Sequence, residues 1–186
     1  MTMNTSYIII GIVVIIIAVF VVMYNKIVSL KNSIANAYSD MDVQMKMRVD
    51  LVENLVNTVK WYTGYEKSTL EDLTKARTQW MNATAPSEKG AADANLTGAL
   101  KTLFATSENY PELKANTNFL QLQTELSDIE NQIAGSRRYY NATIKEYNNA
   151  VMIFPNNIIA NMFGYKSETS YFSITEAEKQ APKVQF

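Results

Sequence analysis

The residues of this chain best suited to acid–base chemistry are paired carboxylates. Asp40 stands near Asp42, Glu71 beside Asp72, and Glu125 three positions before Asp128, the i,i+3 spacing of one helix face. A glycosidase-like pair needs two carboxylates across a cleft with separated pKa values, and the sequence shows neither cleft nor separation. Solvated helix faces account for all three pairs. Oxygen ligands of this kind suit a hard divalent cation, yet no Asp-x-Asp-x-Asp-Gly loop and no phosphate-cradling glycine loop occurs, so no catalytic, metal or cofactor-binding residue is assigned. Four Asn-x-Ser/Thr triplets, at Asn4, Asn82, Asn95 and Asn141, are coincidence in an asparagine- and threonine-rich chain. The other run rich in chemistry is "RRYY", Arg137 to Tyr140, which is either a recognition patch or one flank of a long helix read in a line.

Composition removes most enzyme classes. The chain of 186 residues contains no histidine and no cysteine. Without them a Ser-His-Asp triad, an imidazole or thiolate zinc site, a Glu-x-x-His di-iron bundle and a disulfide framework are all excluded. Seventeen basic residues against eighteen acidic ones leave a net charge of -1, so no basic field draws nucleic acid.

The framework that carries these residues begins at a membrane segment. Residues 7–23, "YIIIGIVVIIIAVFVVM", carry no charge and cover roughly 25 Å as a helix, the short end of a bilayer span. Residues 1–6 hold no lysine or arginine and no cleavage site follows the apolar run, so the segment reads as a retained transmembrane anchor after a short tail. Lys26 and Lys31 follow it, and the positive-inside rule then keeps the body of the chain in the cytoplasm, on a single pass through the cell membrane.

The body reads as all-α. Apolar residues at 27, 30, 34, 37, 41, 45, 49, 52, 56 and 59 fall on one helical face, with no proline or glycine between residues 24 and 63. The first helix therefore grows straight out of the membrane segment. Around Gly64 the boxes Thr63-x-x-Glu66 and Ser68-x-x-Glu71 each offer a restart for a helix reaching about Met81. "NATAPSEKGAADA", residues 82–94, reads as an exposed loop, and a shorter helix follows over about 95–109. Asn116 or Thr117 caps the last helix, whose seam runs Phe119, Leu122, Leu126, Ile129, Ile133, Ser136, Tyr140, Thr143, Tyr147, Ala150 and Phe154. Tyr140 and Tyr147 belong to that seam. Arg137 and Arg138 fall beside it, with stems along apolar surface and heads in water, so Arg137, Arg138 and Tyr139 are candidate interaction residues on a bundle flank.

At ~54 Å and ~57 Å the first and last helices match in length, which predicts an antiparallel pair with shorter helices packed on it. Pro155 then opens a new turn, and Ile158, Ile159, Met162 and Phe163 make a short amphipathic stretch that rests on lipid, docks a partner, or closes the bundle. The predicted organisation is a tail over 1–6, an anchor over 7–23, a helical bundle over 24–165 and a flexible tail over 166–186.

Three stretches carry a family resemblance. "YNKIVSLKNSIANAYSDMDVQMKMRVDLVENLV" from Tyr24, "YPELKANTNFLQLQTELSDIENQIAGSRRYYNATIKEYN" from Tyr110, and "FPNNIIANMFGYK" from Phe154 together resemble the LemA family of bacterial membrane-anchored proteins. The resemblance runs from the anchor to about Tyr165, and beyond Tyr171 and Phe172 the tail lies outside it. Glu53 departs from the pattern, where proline is common, so a kink expected there weakens. The resemblance implies an antiparallel four-helix bundle behind one membrane helix, with no established enzymatic activity and with family members linked to building intracellular membranes, magnetosomes included.

The expected function is therefore a membrane-anchored, non-enzymatic scaffold or interaction module. Its expected partners are the bilayer through residues 7–23 and a protein of unknown identity, with no cofactor and no nucleic acid; seams this long could also bury themselves between chains, so a homo-oligomer stays open. A carboxylate enzyme on the bundle surface and an outward-facing envelope or adhesion protein are the alternatives.

Overall fold

The computed structural model describes residues 5–61 and 67–172, and every described element is helical. In order these are α1 (Thr5–Lys60), α2 (Lys67–Asn82), α3 (Pro86–Ser107), the single turn α4 (Pro111–Lys114), α5 (Thr117–Met152) and α6 (Asn156–Met162). The all-α architecture matches the periodicity of the sequence. As expected, α1 is one helix of 56 residues that carries the apolar segment directly into the body. It also runs through Glu53, whose carboxylate accepts from Arg77 at 2.6 Å.

The loop expected over 82–94 is the main correction, because α3 begins at Pro86 and only residues 83–85 separate it from α2. Proline breaks a helix interior, but at the first helical position its missing N–H is one that has no partner inside the helix. Pro86 occupies that position, and the Glu88 carboxylate reaches back to the N–H groups of Thr84 and Ala85, both at 3.2 Å. Gly90 inside α3 stands close to another segment: a Cβ there would lie 3.2 Å from the Phe172 ring, a tight contact.

Asn116 caps α5, its Oδ1 accepting from the Phe119 N–H at 3.0 Å. The restart expected after Gly64 is found as α2, while the box at Thr63 lies outside the described residues.

The chain forms two compact units, Met1–Ser39 with Tyr139–Thr169 and Asp40–Arg138 with Ser170–Phe186. In the first unit Ile27 of α1 packs with Tyr147 and Val151 of α5 and with Ile159 and Ala160 of α6. Tyr38 lies 5.8 Å from Tyr140, ring to ring. Position rises along α1 as it falls along α5, so the two helices run antiparallel in this unit. Phe154, expected on the seam, is 74% exposed. The reason is that α5 ends at Met152 and the residue before a proline is driven out of helical geometry.

In the second unit α2 buries Leu73, Ala76 and Trp80 and α3 buries Leu96, Leu100 and Leu103. The seam residues Met41, Met45, Val49 and Val52 from α1 are buried too, with Phe119, Leu126 and Ile133 from α5.

Candidate functional site

Two places in the molecule gather functional side chains, one in each unit. The first is a buried ionic cluster in the second unit. Arg48 projects from the apolar face of α1 and is wholly buried. Its Nη1 donates to Thr97 Oγ1 at 3.0 Å and to the Glu130 carboxylate, and its Nη2 donates to the Asp93 carboxylate. Arg137 Nη2 donates to the other Asp93 oxygen at 2.9 Å. Two guanidiniums thus face two carboxylates, and the cluster is neutral as a whole.

Charges removed from water cost several kcal/mol each unless geometry and further hydrogen bonds offset the loss. Asp93 is 1% exposed. Burial pushes its carboxyl above the ordinary range, while Arg48 and Arg137 pull it back down. A shifted carboxyl in a cleft would suggest catalysis. The adjoining groove, about 300 Å³ between α3 and α5, is lined by Thr97, Phe104, Leu126 and Glu130 but not by Asp93. Only Glu130, with its side chain 39% exposed, opens toward solvent. The arrangement ties α1, α3 and α5 together around a carboxyl that is itself 1% exposed.

Arg137 is accordingly a correction. Its head lies in the core on Asp93 rather than in water, because it falls four residues after Ile133 and three before Tyr140, on the buried side of α5. Arg138 and Tyr139 are exposed. Arg48, Asp93 and Glu130 are site residues that the sequence reading missed. The usable sign was a charge at position 48 between Met45 and Val52 on an apolar face, which demands a buried partner. Asp93 was hidden because its segment read as loop.

The carboxylate pairs do not converge on one site. Asp42 pairs with Lys89, Glu71 with Lys67 at 3.5 Å, and Glu125 accepts from Gln121 at 2.8 Å. Among the described residues no three Asp or Glu side chains are grouped to hold a metal ion.

The second place is the α6 surface of the first unit. Ile159 is buried, whereas Ile158, Met162 and Phe163 are exposed. The Phe163 ring lies 4.7 Å from Tyr24 and 6.1 Å from Phe20, so α6 is seated on the last turns of the apolar segment. Gly164, at φ 73°, ends the helix in a left-handed turn and lets the Tyr165 N–H donate to the Ala160 carbonyl at 2.8 Å. Tyr165 then comes within 6.3 Å of Tyr24 and lies under the Lys31 ammonium at 5.4 Å. Past it, Tyr147 Oη donates to the Lys166 carbonyl at 3.0 Å, and the Asn148 amide makes two hydrogen bonds of 2.7 Å with the Glu168 backbone. Residues 173–186 lie outside the described residues.

Comparison with known proteins places the chain in a family. A family model described as the LemA family matches residues 37–186. The match takes in the C-terminal tail, correcting its exclusion from the family pattern, and begins downstream of the apolar segment. The chain is similar to Protein LemA of Metamycoplasma hominis, 30% identical over 146 residues, covering 76% of this chain and 65% of that protein. It is also similar to Magnetosome protein MamQ 2 of Paramagnetospirillum magneticum, 25% identical over 182 residues, covering 84% of this chain and 66% of that protein. The chain therefore spans just under two thirds of the length of each.

Proposed function

Because this chain belongs to the LemA family, we propose that it is a non-enzymatic helical scaffold, anchored in the bacterial cell membrane by residues 7–23 and crossing it once. Its bundle lies on the cytoplasmic side and holds a protein partner at the membrane that it helps to organise. The observation that carries this reading is the unbroken α1, Thr5–Lys60, in which a segment apolar enough to cross a bilayer continues without a joint into the bundle. An anchor and a body that share one continuous helix suit a protein whose task is to hold position.

Further support comes from the chemistry. The chain lacks histidine and cysteine, and the carboxyl that burial shifts is 1% exposed and does not line the adjoining groove. Lys26 and Lys31 after the apolar segment favour the cytoplasmic orientation. The names of the magnetosome relatives support a task at a membrane.

Protease added to wall-stripped intact cells tests the orientation, with α5 as the probed fragment. Protection of α5 until the membrane is opened is the expected result, and immediate digestion turns the scaffold outward, toward envelope or adhesion roles. The non-enzymatic claim expects that no single Asp, Glu or Lys substitution removes function while leaving the helical fold intact. One that did would return the carboxylate-enzyme reading to first place.

A further inference from the structure

Large apolar side chains stand exposed along one short stretch of the first unit. Met152, Ile153 and Phe154 follow one another at the end of α5, and Ile158, Met162 and Phe163 come from α6 and its end. Phe154 is 74% and Met162 65% exposed. Single exposed apolar residues are ordinary, but a contiguous group of this size marks a surface that something covers.

What covers it is indicated by its neighbours. Phe163 packs on Phe20 and Tyr24, and Phe20 and Met23 are partly buried against the α6 core. The surface is therefore continuous with the last turn of the 7–23 segment, whose remaining side chains point outward all round. That segment is short: roughly 25 Å of helix against a hydrocarbon core of about 30 Å. A short span is accommodated by thinning the bilayer and by drawing the residues that flank it toward the interface, which brings the surface beside its end to the lipid. Tyr24 and Tyr165 stand at the same level with Lys31 above the Tyr165 ring, the aromatic and basic belt that marks the headgroup region.

We propose that the surface formed by the end of α5, the Pro155 turn and α6 lies in the lipid interface beside the exit of α1, so that the chain meets the bilayer at two places. The inference rests on the anchoring role of residues 7–23. Ile158, Met162 and Phe154 enter the boundary between headgroups and acyl chains, as an interfacial amphipathic helix does. Lys26, Lys31 and Lys166, all exposed, meet the phosphates of anionic lipids.

The absence of native cysteine permits a direct test on the full chain. Ile12→Cys, Ser39→Cys, Phe154→Cys and Met162→Cys are each labelled with an environment-sensitive fluorophore. The proteins are placed in vesicles of phosphatidylcholine with some phosphatidylglycerol, carrying a nitroxide at a shallow or a deep acyl position. All four native side chains are exposed, so the exchanges leave packing intact. The expected result is that labels at 154 and 162 shift to the blue and are quenched several-fold more than the label at 39, the shallow nitroxide outperforming the deep one. The label at 12 is quenched best by the deep nitroxide. If 154 and 162 behave like 39 while 12 is quenched, the inference falls and the anchor stands. If 12 is also unquenched, the anchor reading falls and takes the inference with it. Labels at 154 and 162 that leave water without lipid quenching mean that another protein surface covers the patch, which overturns the inference as well.

Discussion

Arg48 of α1 and Asp93 of α3 meet through a guanidinium–carboxylate contact with neither side chain open to solvent, although 45 residues separate them. Arg137 of α5 reaches the other oxygen of the same carboxylate. Asp93 is thus the one anion shared by two buried cations from the two longest helices.

Asp93→Ala takes from Arg48 and Arg137 the carboxylate they share, and removing one member of a buried ion cluster costs about 3–5 kcal/mol. Urea unfolding of the solubilised full chain, followed by circular dichroism, measures it. Replacing Arg48, Asp93 and Arg137 together by Met, Leu and Met recovers much of the loss, since no uncompensated charge remains at those positions. A loss below about 1 kcal/mol for Asp93→Ala contradicts the shared-anion role.

The acid limb of stability carries contributions of opposite sign. Backbone N–H groups of Ala85 and Thr84 hold the Glu88 carboxyl below its ordinary value of 4.5. Its contribution is present above that value and lost as pH falls through the depressed one, so Glu88→Gln flattens the acid limb. Asp93 is raised by burial, and its contribution is present below the ordinary 3.8 and lost as pH rises through the raised value. Asp93→Asn therefore makes stability climb more steeply with pH. Unfolding midpoints taken from pH 3 to 7 check both signs, about the range over which such carboxyls titrate.

Two glycines of α3 respond differently to alanine. Nothing lies within 4 Å of a Cβ at position 98, so Gly98→Ala stabilises by about 0.5–1 kcal/mol through helix propensity alone. At position 90 the Cβ meets the buried Phe172 ring at 3.2 Å, and the same exchange gains less or loses. Thermal midpoints of the two variants should separate. Equal gains would mean that Phe172 does not pack on α3.

Tyr147→Phe removes the hydrogen bond to the Lys166 carbonyl and costs about 0.5–1.5 kcal/mol near neutrality. Burial first, and then the Glu168 carboxylate, raise the Tyr147 hydroxyl above its ordinary 10.0. Its contribution is complete below that value and lost as pH rises through the raised one, so the phenylalanine variant shows a flatter alkaline limb in denaturation at high pH.

Local chemistry made much of this protein legible. Apolar residues at periods of three and four put Met41, Met45, Val49, Val52, Ile133, Tyr140 and Tyr147 on the inward faces of their helices, where they are buried, and an uncharged run of 17 residues marks the apolar segment. These properties depend on neighbours along the chain, which is all that a sequence displays. The partners of Arg48 and Arg137, the helical state of most of the 82–94 stretch, and the seating of Phe163 on Phe20 and Tyr24 depend instead on contacts between segments far apart in the chain. A buried charge is tolerated only where a distant segment delivers its counter-charge. Pro86 likewise changes from a breaker to a helix residue at a position whose N–H has no partner inside the helix, and Gly90 stands within α3 against the Phe172 ring.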